Sequence, residues 1–202
     1  MRLYLIRHGE TDHNAGRLTL GRQDVPLNER GRAQARALAE AFRARDGVVA
    51  VYASPLQRAI DTATPLAGVL GLDVRIDERL IEMDIGEVED QTFDEVRERY
   101  PDFVRRWLSE EAPDVPMPGG ESLRQVQERA WAAIDEIRAA HEDDAVAVVT
   151  HNFVVLSVLS QALGMPLARF RSLRQDLAGL SLLELTPERQ TVLAMNDRCH
   201  LR

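Results

Sequence analysis

The sequence predicts an α/β fold, a three-layer α/β/α sandwich around a mostly parallel central sheet. Apolar runs of strand length alternate along the chain with longer stretches at helical spacing, the order that places parallel strands between two layers of helices. One run, Ala145-Val146-Ala147-Val148-Val149-Thr150, is apolar almost throughout, as a strand covered on both faces must be. With 202 residues, 45% of them hydrophobic, the chain can fill a sizeable core.

The first strand, Leu3-Tyr4-Leu5-Ile6, stops at Arg7-His8-Gly9. From Thr11 to Glu29 the abundance of Asn, Gly, Asp and Pro predicts a loop. A helix follows from Glu29 to Arg45, with Ala33, Ala37, Leu38, Ala41 and Phe42 at helical spacing. Val48 to Ala53 is the second strand, and Ser54-Pro55 reads as the opening of a helix, serine as N-cap and proline at the first position. Leu72 to Ile76 is a short strand. The stretch from Glu82 to Gly120 is less regular and more acidic, with helices expected at Phe93 to Tyr100 and Asp102 to Glu110 and turns from Pro113 to Gly120. It reads as a lid-like insertion (residues 82–120) over the sheet edge, within a single domain spanning 1–202. Ser122 begins an amphipathic helix reaching His141, its inner face carrying Leu123, Val126, Ala130, Ile134 and Ile137. After the apolar strand, expected to be central, a helix from Phe153 to Leu163 ends at Gly164, and Leu180 to Leu185 with Thr191 to Met195 reads as a hairpin or edge pair.

A formal charge of −8 argues against a nucleic-acid partner, and no stretch approaches a membrane span. The opening residues run straight into a strand rather than a secretory segment. The single cysteine, Cys199, cannot form an internal disulfide and reads as a small buried hydrophobe in a reducing compartment, so a soluble, cytoplasmic protein is expected. A homodimer is compatible with the chain. All 25 basic residues are arginine, which excludes a Walker A loop, a Schiff-base lysine and pyridoxal phosphate attachment. Small anionic substrates fit, because clustered arginines make a positive pocket even in an acidic protein.

Three of the expected strands end in residues suited to phosphate. The first delivers Arg7 and His8, the second leads through Ser54 to Arg58, and the central one delivers Thr150-His151-Asn152. In a parallel α/β sheet these carboxyl ends share one edge, so two arginines and two histidines would meet in one crevice. Arginine clamps phosphate through its planar fork, and one imidazole could attack phosphorus while the other groups hold the equatorial oxygens. No metal ion is required for that division of labour. Glu82, in Leu80-Ile81-Glu82, is the candidate donor of a proton to the leaving oxygen. Taken singly, each of these residues has an ordinary use as a strand-end histidine or a solvated acid. Their joint placement points to phosphoryl transfer.

These residues lie in blocks that resemble the histidine phosphatase superfamily, the phosphoglycerate mutase-like family, in order along nearly the whole chain. Leu5-Ile6-Arg7-His8-Gly9-Glu10-Thr11 with Asn14 is similar to its leading motif, and Asp24-Val25-Pro26-Leu27 with Gly31 and Gln34-Ala35 to its next block. Ser54-Pro55-Leu56-Gln57-Arg58-Ala59 with Thr62-Ala63, Pro118-Gly119-Gly120-Glu121-Ser122, and Val148-Val149-Thr150-His151 are similar to three more. The resemblance implies a phosphoglycerate mutase-like fold and a phosphohistidine enzyme needing no cofactor. His8 would be the nucleophile, Arg7, Arg58 and His151 the phosphate pocket, and Glu82 the acid and then the base. Asn14, Thr19, Gly21, Gln23 and Asn152 would be further substrate contacts.

The chain departs from the pattern at the pocket mouth. Leu20 stands where the family has a polar residue, leaving Thr19 or Gln23 as substitutes, and Gly86-Glu87-Val88-Glu89-Asp90 lacks a tryptophan and a second glycine. Ile85 occupies the position at which the family's phosphoserine phosphatases carry a histidine. His13 and His200 read as loop and tail residues. Tyr100-Pro101 with Phe103, Arg106-Trp107 and the ending Asn196 to Leu201 are similar to the short bacterial phosphatases. That branch implies hydrolysis of a small phosphorylated metabolite, with a cofactor-dependent phosphoglycerate mutase as the alternative and a non-catalytic phosphate-binding protein as a third reading.

Overall fold

The computed structural model describes residues 1–45 and 47–202. Strands β1 (Arg2–Arg7), β2 (Val48–Ala53), β3 (Val74–Ile76), β4 (Ala145–Thr150), β5 (Leu180–Leu185) and β6 (Gln190–Asp197) form one sheet in the order β3-β2-β4-β1-β5-β6. The first four run parallel, and β5 and β6 add antiparallel at the β1 side. The apolar run of β4 lies in the interior of the sheet and is buried at every residue, because helices cover both its faces.

The two faces separate by the strand period of two. Leu3, Leu5, Val146 and Val148 pack with helices α6 (Leu123–Ala140) and α7 (Asn152–Ala162). Tyr4, Ile6, Ala147 and Val149 pack against Leu38, Ala39 and Phe42 of α2 (Glu29–Phe42) and Ala59, Ala63 and Leu66 of α3 (Gln57–Leu70). The 82–120 segment adds α4 (Phe93–Arg99) and α5 (Pro101–Trp107), and its Val88, Val96, Val104, Trp107 and Met117 join the α6–α7 core. No helix among the described residues is long and apolar enough to cross a membrane.

Several local readings change. The expected loop from Thr11 contains a short helix, α1 (Asp12–Gly16), closed by a capping box in which Thr11 and Asn14 satisfy each other's backbone. Ser54 is not an N-cap: α3 begins at Gln57, whose N–H donates to the Asp24 carboxylate (2.7 Å), because the Ser54 hydroxyl is taken up elsewhere. The third strand is shorter than expected, starting at Val74, and α5 stops at Trp107. Cys199 is exposed rather than buried, in a final turn where its N–H caps onto Asp197.

One close approach seats α2 beneath the turn that follows His8. The Glu10 carbonyl accepts from the Asn28 N–H (2.9 Å), and Gly9 and Gly31 face each other so closely that a Cβ on Gly9 would sit 2.7 Å from the Gly31 oxygen. A Cβ on Gly31 would overlap the Glu10 backbone outright. Gly31→Ala should therefore lower stability by about 1–3 kcal/mol, the usual range for overpacking. Chemical denaturation measures it, and an unchanged midpoint would show that the backbone yields freely there.

Candidate active site

Because β1, β4 and β2 are parallel neighbours, their carboxyl ends reach one edge, and backbone bonds carry the alignment past the strands. His8 N–H donates to the Thr150 carbonyl (2.9 Å) and Ser54 N–H to that of Val149 (3.0 Å). His8 from β1 and His151 from β4 then lie with ring centroids 5.1 Å apart. Arg58 stands in the first turn of α3, and the Thr62 hydroxyl ties that turn to the site, accepting from Gly9 N–H (3.0 Å) and donating to the Arg58 carbonyl (2.7 Å).

The hydrogen-bond partners decide where the imidazole protons sit. His8 Nδ1 is 2.7 Å from the Gly9 carbonyl, which can only accept, so Nδ1 carries the proton and Nε2 keeps its lone pair. His151 Nε2 is 2.7 Å from Ser54 Oγ, which accepts from Leu56 N–H (3.3 Å). The hydrogen of the Ser54 hydroxyl has no other acceptor among the described residues, so it is donated to Nε2 and leaves the proton of His151 on Nδ1, a buried atom without a protein partner. Burial pushes both imidazoles well below their ordinary 6.5, and the Arg58 and Arg7 charges push the same way, so both rings are neutral.

The two guanidiniums are held by backbone oxygens. Arg58, wholly buried, donates through Nη2 to Gly21 O (2.6 Å) and through Nη1 to Gln23 O (2.8 Å), while the Glu89 carboxylate accepts from the N–H groups of the same two residues (2.6 and 3.1 Å). Arg7 donates to Gln175 O (2.7 Å), and Gln175 is itself fixed by Gly179 and Ser181. The Nε–H groups of Arg7 and Arg58 are buried without acceptors, as is His151 Nδ1. Three such donors on one edge, two of them charged, make a receptor for a small oxyanion.

Glu82 follows β3 through a helical turn at Glu78–Leu80. Its carboxyl oxygens accept from Met83 N–H (2.9 Å) and, at the start of α7, from Phe153 N–H (3.4 Å). Burial raises its pKa above the ordinary 4.5, overcoming the Met83 N–H, the Arg58 and Arg7 charges and the Phe153 N–H, which all favour the carboxylate. The arrangement therefore combines a neutral imidazole with an open Nε2, an oxyanion receptor and a carboxyl whose pKa is raised.

The remaining sequence candidates divide. Asn14 lines a cavity of about 390 Å³ that opens beside Arg7, and its Oδ1 is engaged in the Thr11 cap, so its amide N–H groups are what it can offer. Thr19 lines the same cavity, but its one hydroxyl hydrogen is shared between the Val88 and Gln91 carbonyls and its oxygen accepts from Gln91 N–H (3.1 Å), so it is spent on the 88–91 loop. Gly21 and Gln23 act through the carbonyls that hold Arg58, and the Gln23 side chain is exposed. Asn152 is the first residue of α7 and does not line the cavity. Ile85 is buried against Gly21, where a Cβ would meet it at 2.6 Å, and His13 pairs with Asp90 (2.9 Å). Sequence reasoning missed Ser54 as the partner of His151, Glu89 as the anchor of the 21–23 loop and Gln175 as the support of Arg7. Ser54 and Glu89 sat in blocks already under scrutiny, but the cap-like setting of Ser54 disguised it, and nothing local ties Glu89 to the 21–23 loop.

Residues 3–198 match the model of the histidine phosphatase superfamily (branch 1). The chain is 35% identical over 201 residues to phosphoserine phosphatase 1 of Hydrogenobacter thermophilus, covering all of this chain and 94% of that protein. It is 33% identical over 184 residues to a probable phosphoglycerate mutase of Enterobacter sp., covering 91% of this chain and 85% of the other. Among solved structures, a mycobacterial glucosyl-3-phosphoglycerate phosphatase superposes with a TM-score of 0.88 at 30% identity, over 98% of this chain and 99% of its own.

Neutral buried imidazoles tie stability to pH. The unfolded chain protonates His8 near 6.5 while the folded protein resists to lower pH, so the unfolded state binds more protons across that window. The contribution is fully present above about pH 6.5 and is lost as pH falls toward the depressed folded value; Glu82, raised, acts in the opposite sense. Between about pH 7.5 and 5.5 the melting temperature of His8→Asn should fall less than that of the wild type. Equal falls in thermal melts would show that His8 titrates as an ordinary histidine.

Proposed function

The chain belongs to the histidine phosphatase superfamily, and we propose that within it the protein is a phosphomonoesterase that hydrolyses a small phosphorylated metabolite through a phosphohistidine on His8. The observation that carries this reading is the neutral His8 ring, its Nδ1–H held by Gly9 and its Nε2 free, beside two guanidiniums whose Nε–H groups are buried without acceptors. In the first step Nε2 attacks phosphorus and the bond to the ester oxygen breaks, while Glu82 gives its proton to that oxygen. Arg7, Arg58 and His151 Nδ1–H hold the equatorial oxygens, where charge resides during the transfer. In the second step the Glu82 carboxylate takes a proton from water, whose oxygen displaces the imidazole and releases phosphate.

The leaving group would occupy the cavity beside Arg7. That cavity carries Arg17, Arg30 and Arg198 with Leu18, Leu177 and the exposed ring of Phe93, and its roughly 390 Å³ suit a metabolite rather than a folded partner. Every group in the scheme comes from one chain, so the chemistry does not call for a second copy. The single free cysteine fits a reducing compartment such as the cytoplasm. A phosphoserine substrate would have to be recognised without an imidazole at Ile85.

The similarity to the Enterobacter protein favours a second reading, phosphoglycerate mutase activity in the same pocket. The two readings differ in what discharges the phosphoenzyme. Mixed with a phosphate ester and quenched in alkali, the wild type should carry phosphate on His8 and lose it to water quickly without a bisphosphorylated cofactor. A phosphohistidine that persists for minutes and is discharged only by a phosphoglycerate would replace the phosphatase with the mutase.

His8→Ala should have no turnover yet keep its fold, since nothing else in reach can form the intermediate. Arg58→Lys should lose about 2–4 kcal/mol of transition-state stabilisation, because a point charge cannot make two parallel bonds to phosphate. Activity should survive dialysis against a chelator. Substantial turnover by the alanine variant, or a requirement for added Mg²⁺, would overturn the assignment.

A further inference from the structure

The Pro118-Gly119-Gly120-Glu121-Ser122 block takes no part in the chemistry above, yet it is built against the segment that carries Glu82. That segment, residues 79–84, continues no strand or long helix, so its backbone needs partners from elsewhere. Arg129, on α6, supplies most of them. Its Nη1 donates to the carbonyls of Arg79 (2.7 Å) and Ile81 (2.6 Å), and its Nη2 to that of Glu82 (3.1 Å). Its remaining bonds go to Glu121, from Nε to Oε1 and from Nη2 to Oε2, each 3.1 Å. All five N–H donors of the guanidinium are thereby used within the protein.

Glu121 closes the frame from the other side. Its Oε2 also accepts from Asp84 N–H (3.0 Å), its own N–H donates to Asp84 O (2.9 Å), and Arg22 bridges it (3.0 Å) to the Glu82 carbonyl (3.3 Å). The Leu80 carbonyl, skipped by Arg129, accepts from the Thr150 hydroxyl (2.6 Å). Gly120 is the residue that lets the chain come so near, since a Cβ there would overlap the Asp84 carbonyl. Every carbonyl from Arg79 to Glu82 is thus gripped by a side chain, immediately beside the carboxyl that must meet the leaving oxygen.

We propose that Arg129 and Glu121 are positioning residues for the Glu82 carboxyl, holding it where it protonates the leaving group. The inference rests on the reading of Glu82 as general acid. Arg129 touches neither substrate nor the reacting atoms; it acts through the backbone of Glu82. Removing it lets the carboxyl drift while His8, Arg7, Arg58 and His151, which are placed by β1, α3 and β4, stay where they are.

That separation gives a readout that general loosening of the fold would not produce. Alkyl phosphates need their leaving oxygen protonated and aryl phosphates hardly do, so kcat/KM, which reports the first phosphoryl transfer, should respond differently to the two. For Arg129→Lys and Glu121→Gln, kcat/KM should fall about 10- to 100-fold with glycerol 2-phosphate and less than about threefold with 4-nitrophenyl phosphate. Glu82→Gln, measured alongside, should discriminate in the same direction and more strongly. If Glu82→Gln discriminates but neither variant of the pair does, or both lose the two substrates in parallel, the positioning role is wrong and the acid stands. If Glu82→Gln itself loses both substrates equally, it is the acid assignment that fails. Glu121→Gln keeps the shape of the frame but puts an NH2 donor in place of one of the two oxygens that accept from Arg129, so it tests the idea even if Arg129→Lys does not fold.

Discussion

Two guanidinium groups, that of Arg58 wholly buried and that of Arg7 partly so, stand at one edge of the sheet and are held by carbonyl oxygens instead of carboxylates. Arg58 binds the Gly21 and Gln23 carbonyls and Arg7 that of Gln175. A carbonyl fixes a guanidinium in space without cancelling its charge, so the crevice keeps its positive field for an oxyanion. The arrangement is costly in the absence of an anion, because desolvation of a cation is not offset by a full opposite charge. The surrounding structure meets that cost through rigid supports: Glu89 behind the 21–23 loop, Gln175 locked by Gly179 and Ser181, and Thr62 joining α3 to the turn after His8.

The same burial shifts the pKa values of His8 and Glu82 in opposite directions. Desolvation favours the neutral form of any group, so it lowers the pKa of His8 and raises that of Glu82. The arginine charges reinforce the first effect and oppose the second, and burial prevails for Glu82. For the proposed scheme these shifts favour an unprotonated His8 and a protonated Glu82, the reverse of the order that the unperturbed pKa values of the two side chains would give.

Irregular backbone is concentrated where the chemistry is, and side chains do for it what ladders do for the sheet. Arg129 and Thr150 hold residues 79–82, Thr19 holds the 88–91 loop, and Glu89 holds residues 21–23. Glycines allow these segments to touch: Gly31 against Glu10, Gly21 against Ile85 and Met83, and Gly120 against Asp84. The 82–120 segment contributes to this frame as much as to the core, since Glu89 and the Val88 and Gln91 carbonyls belong to it and Glu121 follows it directly.

What could be read without a structure was what local chemistry and periodicity determine. Apolar runs and helical spacing placed the strands and the long helices, and the parallel order followed from their alternation. Arg7, His8, Arg58 and His151 could be assigned to one crevice because parallel strands bring their carboxyl ends to a common edge, a rule that needs no side-chain coordinates. The short helix at Asp12 was overlooked because its cap lies in a stretch whose composition suits a loop. Ser54 was misread for a related reason: a serine before a proline is a good N-cap, and only the folded chain shows that an imidazole almost a hundred residues away claims its hydroxyl. The roles of Glu89, Gln175, Glu121 and Arg129 belong to the tertiary structure alone. Each depends on which backbone group stands opposite a long side chain after folding, and hydrogen bonds between distant segments leave no periodicity in the sequence from which they could be inferred.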